Sequence, residues 1–496
     1  MAFENFMTET LRAPTQDATL ERLRAGLIGE GTTFPTATGP KPLVYADYTA
    51  SGRALRQVED FIAQDVLPFY ANTHTESSYT GGYMTRLREE ARSFIAAQVG
   101  AGDGCRVIFT GSGSTAAINK FASLCGLRDL ANAPRGVLSR WRGERHKPLV
   151  LIGPYEHHSN ILPWRESGAD VIEIDEATGG GPDMAQLEAA LTKAQNRPLV
   201  VGAFSAASNV TGILTDIDAV TRCLKRYGAL AAWDFASAGP YEDIEMNTPG
   251  AEKDAVFLSP HKFLGGPGAS GLLVIRESAV RMDKPTLPGG GSVFYVSPWD
   301  TDYSGSLCER EEAGTPNVIG DIRAALAFAV KGAAGSEGIM ARDRALVDQA
   351  LAAWEDVPGL KVLAGDNAQR LPIFSFLIED ASGTRVNHNL VTQMLSDRFG
   401  IQARGGCACA GPYGHRLLGL DRSDARRLRA AILAGDEAAR PGWTRLNLSY
   451  VMAPETVDYI LSSVAELAHA LYDGRAISGA SHRPPGCVDA NSYVAH

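Results

Sequence analysis

Two cysteines separated by one alanine stand in the segment RGGCACAGPYGH, residues 404–415. Thiols at this spacing, Cys407 and Cys409, suit three kinds of chemistry: metal binding, a redox pair, or attack on a substrate by one thiolate. Flanking glycines would let the loop change conformation. Which of the three applies depends on the other reactive groups that the chain supplies.

A lysine supplies a second reactive group. Lys262 follows the apolar run DAVFL and precedes a glycine-rich stretch. At the carboxyl edge of a sheet a lysine can be partly desolvated and can act as an amine nucleophile, although a lysine at a strand end is more often a surface residue. Asp234 ends the apolar run ALAAWD, where a buried carboxylate requires a cationic or hydrogen-bonding partner.

A glycine-rich turn supplies a candidate phosphate site. Residues 111–116, GSGSTA, lie between the strand-like RVIFT and a helical segment, and match G-x-G-x-x-A. A helix N-terminus offers free N–H groups to an anion, and Ser114 and Thr115 add hydroxyl donors. A dinucleotide site also needs an acidic residue about 20 positions further on, which is missing here, so a single phosphate is favoured. The alternative is a capped helix without a ligand.

An aromatic ring completes the set. His157 and His158 follow another apolar run, and either could be functional or simply packed in the protein. A phosphate turn, an amine, a buried carboxylate and an aromatic ring together fit pyridoxal 5′-phosphate (PLP). The lysine would form the Schiff base, the aspartate would keep the pyridinium nitrogen protonated, and the turn would hold the phosphate.

The elements that must position these groups follow an α/β pattern. From about residue 43, apolar runs of strand length alternate with helical segments, which is typical of buried parallel strands. The runs are RVIFT, PLVLIG, PLVVGAFS, GALAAWD, DAVFL and ASGLLVI. Ligands collect at the carboxyl ends of such strands, where the reactive groups stand. Two long helices over 319–355 then lead to a smaller α+β unit with the strands LPIFSFLIED and LNLSYV.

These patterns predict a domain organisation. Residues 1–42 form an N-terminal arm that packs with the small domain, 43–330 form the large cofactor-binding domain, and 331–476 form the small domain with the cysteine loop. Residues 477–496 form a loose tail. The basic insertion 131–147 is expected to be a solvated loop, with a partner-docking surface as the alternative.

Composition narrows the class of protein. The net charge of −10 over 496 residues argues against nucleic acid or an anionic membrane as the main partner. No apolar run is long enough to predict a membrane span. The start of the chain does not read as a secretory signal, and seven scattered cysteines fit a reducing compartment. We therefore expect a cytoplasmic protein.

The chain resembles the class V aminotransferase family of fold-type I PLP enzymes, and within it the cysteine desulfurase and selenocysteine lyase branch. The resemblance runs from YADYTASG (45–52) to LNLSYV (446–451). It is carried by GSGSTAAIN, EHHSNILPW, SNVTGI, WD-x-A, SPHKFLGG, EAGTPN and ARGGCACAG. It implies a large domain with a mostly parallel sheet and helices on both faces, a smaller α+β C-terminal domain, and a homodimer.

The resemblance also implies a role for each site residue. Lys262 would carry the cofactor, Asp234 would pair with its ring nitrogen, His157 would stack on its ring as a catalytic residue, and the phosphate would contact Ser114, Thr115, Ser259, His261 and, from the neighbouring subunit, Thr315. Asn209 would contact a cofactor oxygen or the substrate carboxylate, and Arg445, assisted by Arg404, would clamp that carboxylate. Ser237 stands where the family usually has the glutamine that binds the phenolic oxygen.

For the cysteine loop, the resemblance implies sulfur transfer. The loop is similar to that of a sub-branch with two cysteines, as in molybdenum-cofactor sulfurase domains. Cys409 takes the position of the nucleophile, and Cys407 falls where others have histidine. L-cysteine would become L-alanine, with the sulfur passed to Cys409 as a persulfide and then to an acceptor protein or small molecule. Arg404 and His415 are cationic candidates for promoting ionisation of the thiol. Cys407 could relay the persulfide, resolve it, or fill space.

Two alternatives stay open. Another class V PLP enzyme, such as a selenocysteine lyase, C–S lyase, epimerase or aminotransferase, would act on a different amino acid. A metal-binding module would use Cys407, Cys409 and His415. The C-x-C spacing falls short of the usual C-x-x-C, and a structural zinc site wants four ligands, so no metal is expected.

Overall fold

The computed structural model describes residues 1–73, 76–128, 147–365 and 369–474. The predicted tail, and the basic insertion except Lys147, lie outside these residues. The strands are β1 (Thr33–Phe34), β2 (Lys41–Pro42), β3 (Val44–Tyr45), β4 (Cys105–Phe109), β5 (Leu149–Ile152), β6 (Asp170–Glu173), β7 (Val200–Ser205), β8 (Leu230–Asp234), β9 (Ala255–Leu258), β10 (Leu272–Arg276), β11 (Val293–Val296), β12 (Thr301–Tyr303), β13 (Leu360–Val362), β14 (Ile373–Ile378), β15 (Ile401–Gln402), β16 (Arg404–Gly406) and β17 (Trp443–Asn447).

The α-helices of the same residues are numbered along the chain. They are α1 (Ala2–Asn5), α2 (Gln16–Ala25), α3 (Arg56–Phe61), α4 (Tyr79–Gln98), α5 (Ser114–Leu124), α6 (Leu162–Arg165), α7 (Met184–Lys193), α8 (Ile217–Arg226), α9 (Leu307–Glu311), α10 (Val318–Ala334), α11 (Ser336–Trp354), α12 (His388–Phe399), α13 (Gly411–Leu417), α14 (Arg422–Leu433) and α15 (Pro454–Tyr472). None of the described helices is both long and apolar enough to cross a bilayer.

The chain divides into two compact units. The first comprises Met1–Ile28, Ala50–Ser208 and Ile213–Arg342. The second comprises Gly29–Thr49, Asn209–Gly212 and the chain from Asp343 onward.

A seven-stranded sheet, ordered β4-β10-β9-β8-β7-β5-β6, forms the centre of the first unit. Strands β5 to β9 pair in parallel, and the continuous apolar sequences of β5, β7, β8 and β9 predicted this pairing. Strand β10, expected to be parallel as well, runs antiparallel to β4 and β9. The segment from β9 to β10 holds only the short 3₁₀ turn Pro260–Lys262 and not the crossover helix that parallel pairing requires.

The sequence did not predict β6, at one edge of the sheet. Its residues DVIE are only partly buried, and they mix acidic and apolar side chains instead of forming an apolar run. Helix α5 packs against β9 and β10 on the central sheet. Phe121 of this helix lies 5.5 Å, ring to ring, from Phe257 of β9 and 6.3 Å from Trp164. Buried aromatic packing of this kind fixes the start of α5 relative to the strand ends.

The N-terminal residues differ from the predicted arm. Met1–Ile28 belong to the first unit, and only Gly29–Thr49 belong to the second. The reason is that Phe3 and Phe6 lie on one buried face of the first turns. The Phe3 ring lies 5.8 Å from that of Phe94 in α4, and the Phe6 ring lies 5.3 Å from that of Phe61.

The second unit contains a four-stranded antiparallel sheet, β13-β14-β17-β16, with α12 packed on β16 and β17 and α15 packed on β14. The predicted strand 446–451 begins earlier, as β17. It ends at Asn447 because the chain then turns, with the Met452 N–H donating to the Ser449 carbonyl at 2.9 Å. Strand β17 places Arg445 opposite Arg404 of β16.

Candidate active site

The glycine-rich turn and the segment before Lys262 pack together in the first unit. The Ser114 N–H, at the start of α5, donates to the Ser259 hydroxyl at 2.9 Å. A Cβ at Gly113 would come 3.0 Å from Cε1 of His261 and 3.1 Å from the Ser259 Oγ. Gly111 has φ +54°, which favours glycine. The structure therefore brings together three of the residues that sequence analysis assigned to phosphate.

His261 has a defined tautomer. Its Nδ1 lies 2.8 Å from the carbonyl oxygen of Ser112, and because a carbonyl can only accept, Nδ1 carries a proton. Burial lowers the pKa of His261, followed by the charge of Lys262. Nε2 can therefore donate to an anion only when the ring is charged, and phosphate binding would favour that form.

Lys262 and Asp234 stand at the ends of neighbouring strands. Lys262 closes the 3₁₀ turn after β9, with its N–H donating to the Ser259 carbonyl at 2.9 Å. Asp234 ends β8, is buried, and accepts from the Ala236 N–H at 2.9 Å. Burial raises the pKa of Asp234, while that N–H, the charge of Lys262 and the Ser114 hydroxyl act in the opposite direction. The amine, the carboxylate and the start of α5 thus share one electrostatic environment.

His157 is tied to the phosphate turn through Ser159. The Ser159 N–H donates to Nδ1 of His157 at 3.1 Å, which leaves the neutral ring's proton on Nε2. The Ser159 hydroxyl lies 3.0 Å from that Nδ1 and 2.7 Å from the Thr115 hydroxyl. No role for Ser159 was predicted from the sequence, although the residue lies within the EHHSN motif.

Glu156, which sequence analysis also missed, anchors the same turn. It is buried, and its carboxyl accepts from the Ser205 N–H at 2.8 Å, from the Ser205 hydroxyl at 2.7 Å and from the Asn160 side chain. Burial raises the pKa of Glu156 to about 8, and the nearby charge of Asp234 also raises it. Because Ser205 ends β7 and Glu156 follows β5, this carboxyl fixes two strand ends beside His157.

We expect Glu156→Gln to change the pH dependence of stability. The folded-state pKa is raised, so the contribution of this carboxyl is fully present below pH 4.5 and is lost as the pH rises to about 8. Glutamine cannot ionise. Relative to the wild type, the free energy of unfolding of the variant should therefore increase by roughly 1 kcal/mol for each pH unit across that window. Urea unfolding at several pH values measures this gain, and a constant difference would contradict it.

Two further residues that were assigned to the cofactor, Ser237 and Thr315, differ in their exposure to solvent. Ser237 is buried three residues after Asp234, and Thr315 is exposed after Gly314, which has φ +85°. Their contacts with the phenolic oxygen and with a neighbouring subunit's phosphate stay predictions.

In the second unit, Asp47 holds both of the predicted carboxylate-binding arginines. Its Oδ1 accepts from Nη2 of Arg445 at 2.9 Å, and its Oδ2 accepts from Nε of Arg404 at 2.9 Å. Arg445 is buried, whereas Arg404 is exposed. Burial lowers the pKa of Arg445, and Asp47 opposes that shift. Asp47 lies in the YADYTASG motif, but sequence analysis gave it no role.

Unpaired polar atoms lie beside this ion pair. Nη1 of Arg445 donates to the Asn209 carbonyl at 3.0 Å. In the part of the chain that the structure describes, Nε of Arg445 and Oδ1 of Asn209 are buried without a hydrogen-bond partner. An unpaired buried donor or acceptor costs about 1–3 kcal/mol. The unpaired donor on Arg445 and the unpaired acceptor on Asn209, which is hydrogen-bonded to it, suit a ligand that both accepts and donates hydrogen bonds, such as an amino acid.

The cysteine loop has an unusual backbone. Ala408 and Cys409 adopt φ +49° and +55°, the left-handed region that non-glycine residues rarely occupy. The Asn209 side-chain N–H donates to the Ala408 carbonyl at 2.7 Å, which helps to hold this conformation. Cys409 is exposed and Cys407 is half-buried. The exposed thiol is thus presented by a loop that is bonded to a predicted substrate-binding residue.

The two cations proposed to assist Cys409 have other partners. Arg404 binds Asp47, and Nδ1 of His415 donates to the Gly411 carbonyl at 2.8 Å. Their effect on the thiol stays a prediction. Among the described residues, no group of three or more His, Cys, Asp or Glu side chains is arranged to hold a metal ion.

The profile of the family described as Aminotransferase class-V matches residues 44–434. The chain belongs to the class V aminotransferase family. A probable cysteine desulfurase of Vibrio cholerae is 30% identical to this class V chain over 376 residues, 75% of the chain and 85% of the relative. A probable cysteine desulfurase of Streptomyces coelicolor is 28% identical over 375 residues, 75% of the chain and 84% of the relative.

Solved structures show the same fold. The apo cysteine desulfurase of Thermococcus onnurineus aligns with a TM-score of 0.70 at 21% identity, covering 91% of this class V chain and 98% of that one. The cysteine desulfurase CsdA of Escherichia coli aligns with a TM-score of 0.68 at 22% identity, covering 91% and 99%. The predicted α/β, fold-type I architecture is confirmed.

Class V enzymes use PLP, and this chain is a PLP-dependent enzyme. The residues of the first unit fit the cofactor: Gly113 leaves space that a side chain would fill, and the buried carboxyl of Asp234 suits a pyridinium N–H. Ser114, Ser259 and His261 would hold the phosphate, and Lys262 would bind the aldehyde carbon. When bound, the cofactor supplies an electron sink for the bonds at the substrate's α-carbon.

Proposed function

We propose that this class V enzyme is a cysteine desulfurase, which converts L-cysteine to L-alanine and accepts the sulfur on Cys409 as a persulfide. The observation that carries the proposal is the exposed Cys409, held in a left-handed backbone conformation by a loop that is bonded to Asn209. A lyase or an aminotransferase has no need of a thiol nucleophile. The names of the relatives in Vibrio and Streptomyces support the same activity.

Each residue has a defined task in this proposal. Arg445 would bind the α-carboxylate of cysteine through its unpaired Nε, and the Asn209 amide would contact the bound amino acid. His157 would stack on the cofactor ring, and the amine of Lys262 would move the proton at the α-carbon.

The sulfur step is a displacement by the thiolate of Cys409. A bond forms between Sγ of Cys409 and the substrate sulfur, while the bond between that sulfur and Cβ breaks. The electron pair of the broken bond stays with the carbon skeleton, which takes up protons to become alanine. The persulfide then passes its outer sulfur to an acceptor protein or to a small thiol. Thiols that must stay reduced between turnovers fit a cytosolic location.

The experiment is to add L-cysteine and a reducing thiol to the purified holoenzyme and to measure alanine and sulfide together. We expect equal amounts of the two products. Pyruvate and ammonia would identify a C–S lyase, and activity confined to selenocysteine would identify a selenocysteine lyase. Either result would replace the desulfurase proposal.

We also propose that the enzyme is a homodimer in which the hairpin β11–β12 packs against a second copy. Phe294 and Trp299 of this hairpin are 88% and 86% exposed, and Tyr295 and Val296 beside them are exposed as well. An apolar cluster of this size on one hairpin is typical of a subunit interface. The resemblance, which gives Thr315 a role in a neighbouring subunit, points to the same partner.

The double variant Phe294→Ser and Trp299→Ser tests this interface. Each lost apolar side chain should cost the association about 1.5–3 kcal/mol, so we expect the dimer dissociation constant to rise at least about a hundredfold. Sedimentation velocity over a range of concentrations measures it. Leu433→Ser, at a residue that is 71% exposed elsewhere, is the matched control and should change nothing. A monomeric wild type would disprove the dimer.

A further inference from the structure

The two arginines of the second unit and the aspartate between them have a net charge that can be counted. Arg445 and Arg404 contribute two positive charges, and Asp47 contributes one negative charge that contacts both. Each carboxylate oxygen is taken by one guanidinium at 2.9 Å. The groups whose charges act on Arg445 are Asp47, Arg404 and the thiol of Cys409. With the thiol neutral, these side chains present one net positive charge.

The position of Asp47 determines how much negative charge a ligand can bring to the two arginines. Asp47 is only 9% exposed, so water screens the charge of its carboxylate poorly. It accepts from Nη2 of Arg445, while the Asn209 carbonyl accepts from Nη1, and the buried Nε has no hydrogen-bond partner among the described residues. One α-carboxylate would therefore supply an acceptor for this donor and balance the net charge. After that carboxylate is bound, these three side chains have no net positive charge left for a second anionic group on the same ligand, whereas one would remain without Asp47.

We propose that Asp47 is a specificity-determining residue, which restricts the site to amino acids with a single anionic group and discriminates against those with a second, such as L-aspartate or L-cysteine sulfinate. This inference rests on the proposed function, in which Arg445 binds the substrate α-carboxylate. It goes further by assigning the preference to the bridging carboxylate and not to the arginines themselves.

The test compares two amino acids that differ by one carboxylate. L-alanine and L-aspartate are titrated into the PLP holoenzyme, binding is followed by the cofactor absorbance, and the ratio of their dissociation constants is taken. Any change in the orientation of Arg445 affects the α-carboxylate of both ligands, so it cancels in the ratio. The ratio isolates the response to the second anionic group.

We expect Asp47→Asn to improve the binding of L-aspartate relative to L-alanine at least about tenfold, since the net positive charge of these side chains rises from one to two. Asp47→Glu keeps the charge and should leave the ratio close to that of the wild type. Arg404→Gln removes an exposed cation and should shift the ratio in the opposite direction. If Asp47→Asn fails to fold, Arg404→Gln still tests the charge balance on which the role of Asp47 depends, and an unchanged ratio in it would overturn the proposal.

The outcomes separate the two proposals. An unchanged ratio in Asp47→Asn, or equal shifts in Asp47→Asn and Asp47→Glu, would overturn the role of Asp47 even if the wild type makes alanine and sulfide from L-cysteine. A wild type that makes neither product would overturn the desulfurase proposal, whereas the binding ratios would still report on Asp47.

Discussion

Lys262→Ala is expected to abolish turnover of L-cysteine, with kcat lowered at least ~10³-fold, because general acid–base and covalent roles on one amine contribute effects of that size. The structure places this amine after β9, within the electrostatic environment of the buried Asp234 and next to the segment that packs against the glycine-rich turn. No other lysine was assigned to the site by its sequence or by its position.

A second readout does not depend on activity. Borohydride reduction followed by peptide mass spectrometry should find the cofactor attached at residue 262 in the wild type and nowhere in the variant. Lys284→Ala, an exposed lysine of the same unit, is the matched control and should keep both activity and attachment. Attachment of the cofactor to a different lysine would overturn the assignment.

Cys409→Ala is expected to give the second largest loss, at least about a hundredfold in alanine formation from L-cysteine, because the sulfur would have no thiolate to receive it. Cofactor attachment at Lys262 should be unchanged, since Cys409 is not among the residues predicted to hold the cofactor. Mass spectrometry of the wild type after one turnover without reductant should find an added sulfur atom on residue 409.

Cys407→Ala is the matched control for this prediction, because it removes the other thiol of the same loop. If Cys407 only fills space, kcat should fall by less than about threefold, as expected for a small change at a half-buried side chain. A loss confined to the release of sulfide, with the persulfide on Cys409 intact, would assign the relay role to Cys407. Full activity of Cys409→Ala would instead favour a lyase or an aminotransferase.

The sequence predicted those parts of the fold that depend on local pattern. Buried apolar runs predicted β4, β5 and β7 to β9, and the position of a reactive group after each run placed Lys262 and Asp234 at strand ends. The direction of β10 was wrong, because strand direction depends on the connection and not on the run itself. Residues 1–28 of the predicted arm belong to the first unit instead of the second. An apolar face in the sequence shows that the segment packs against something but not which surface it contacts.

The missed site residues share one property: their partners are distant in sequence. Asp47 meets Arg445 across 398 positions, and Glu156 meets Ser205 across 49. No spacing rule connects such pairs. Both residues lie inside quoted motifs, so resemblance pointed to their segments but not to their contacts. The left-handed backbone at Cys409 was equally beyond prediction, since neither Ala408 nor Cys409 favours it.

Glu156 and Asp234 differ in the groups that favour their charged forms. Both are buried, and the charge of Asp234 is among the causes that raise the pKa of Glu156 to about 8. Lys262 and the Ser114 hydroxyl favour the charged form of Asp234, and no cation does the same for Glu156 among the groups that shift its pKa. At neutral pH Glu156 therefore keeps its proton, and its neutral carboxyl connects the ends of β5 and β7 through hydrogen bonds. Asp234, whose charged form Lys262 favours, is the carboxyl that we expect to pair with a pyridinium ring.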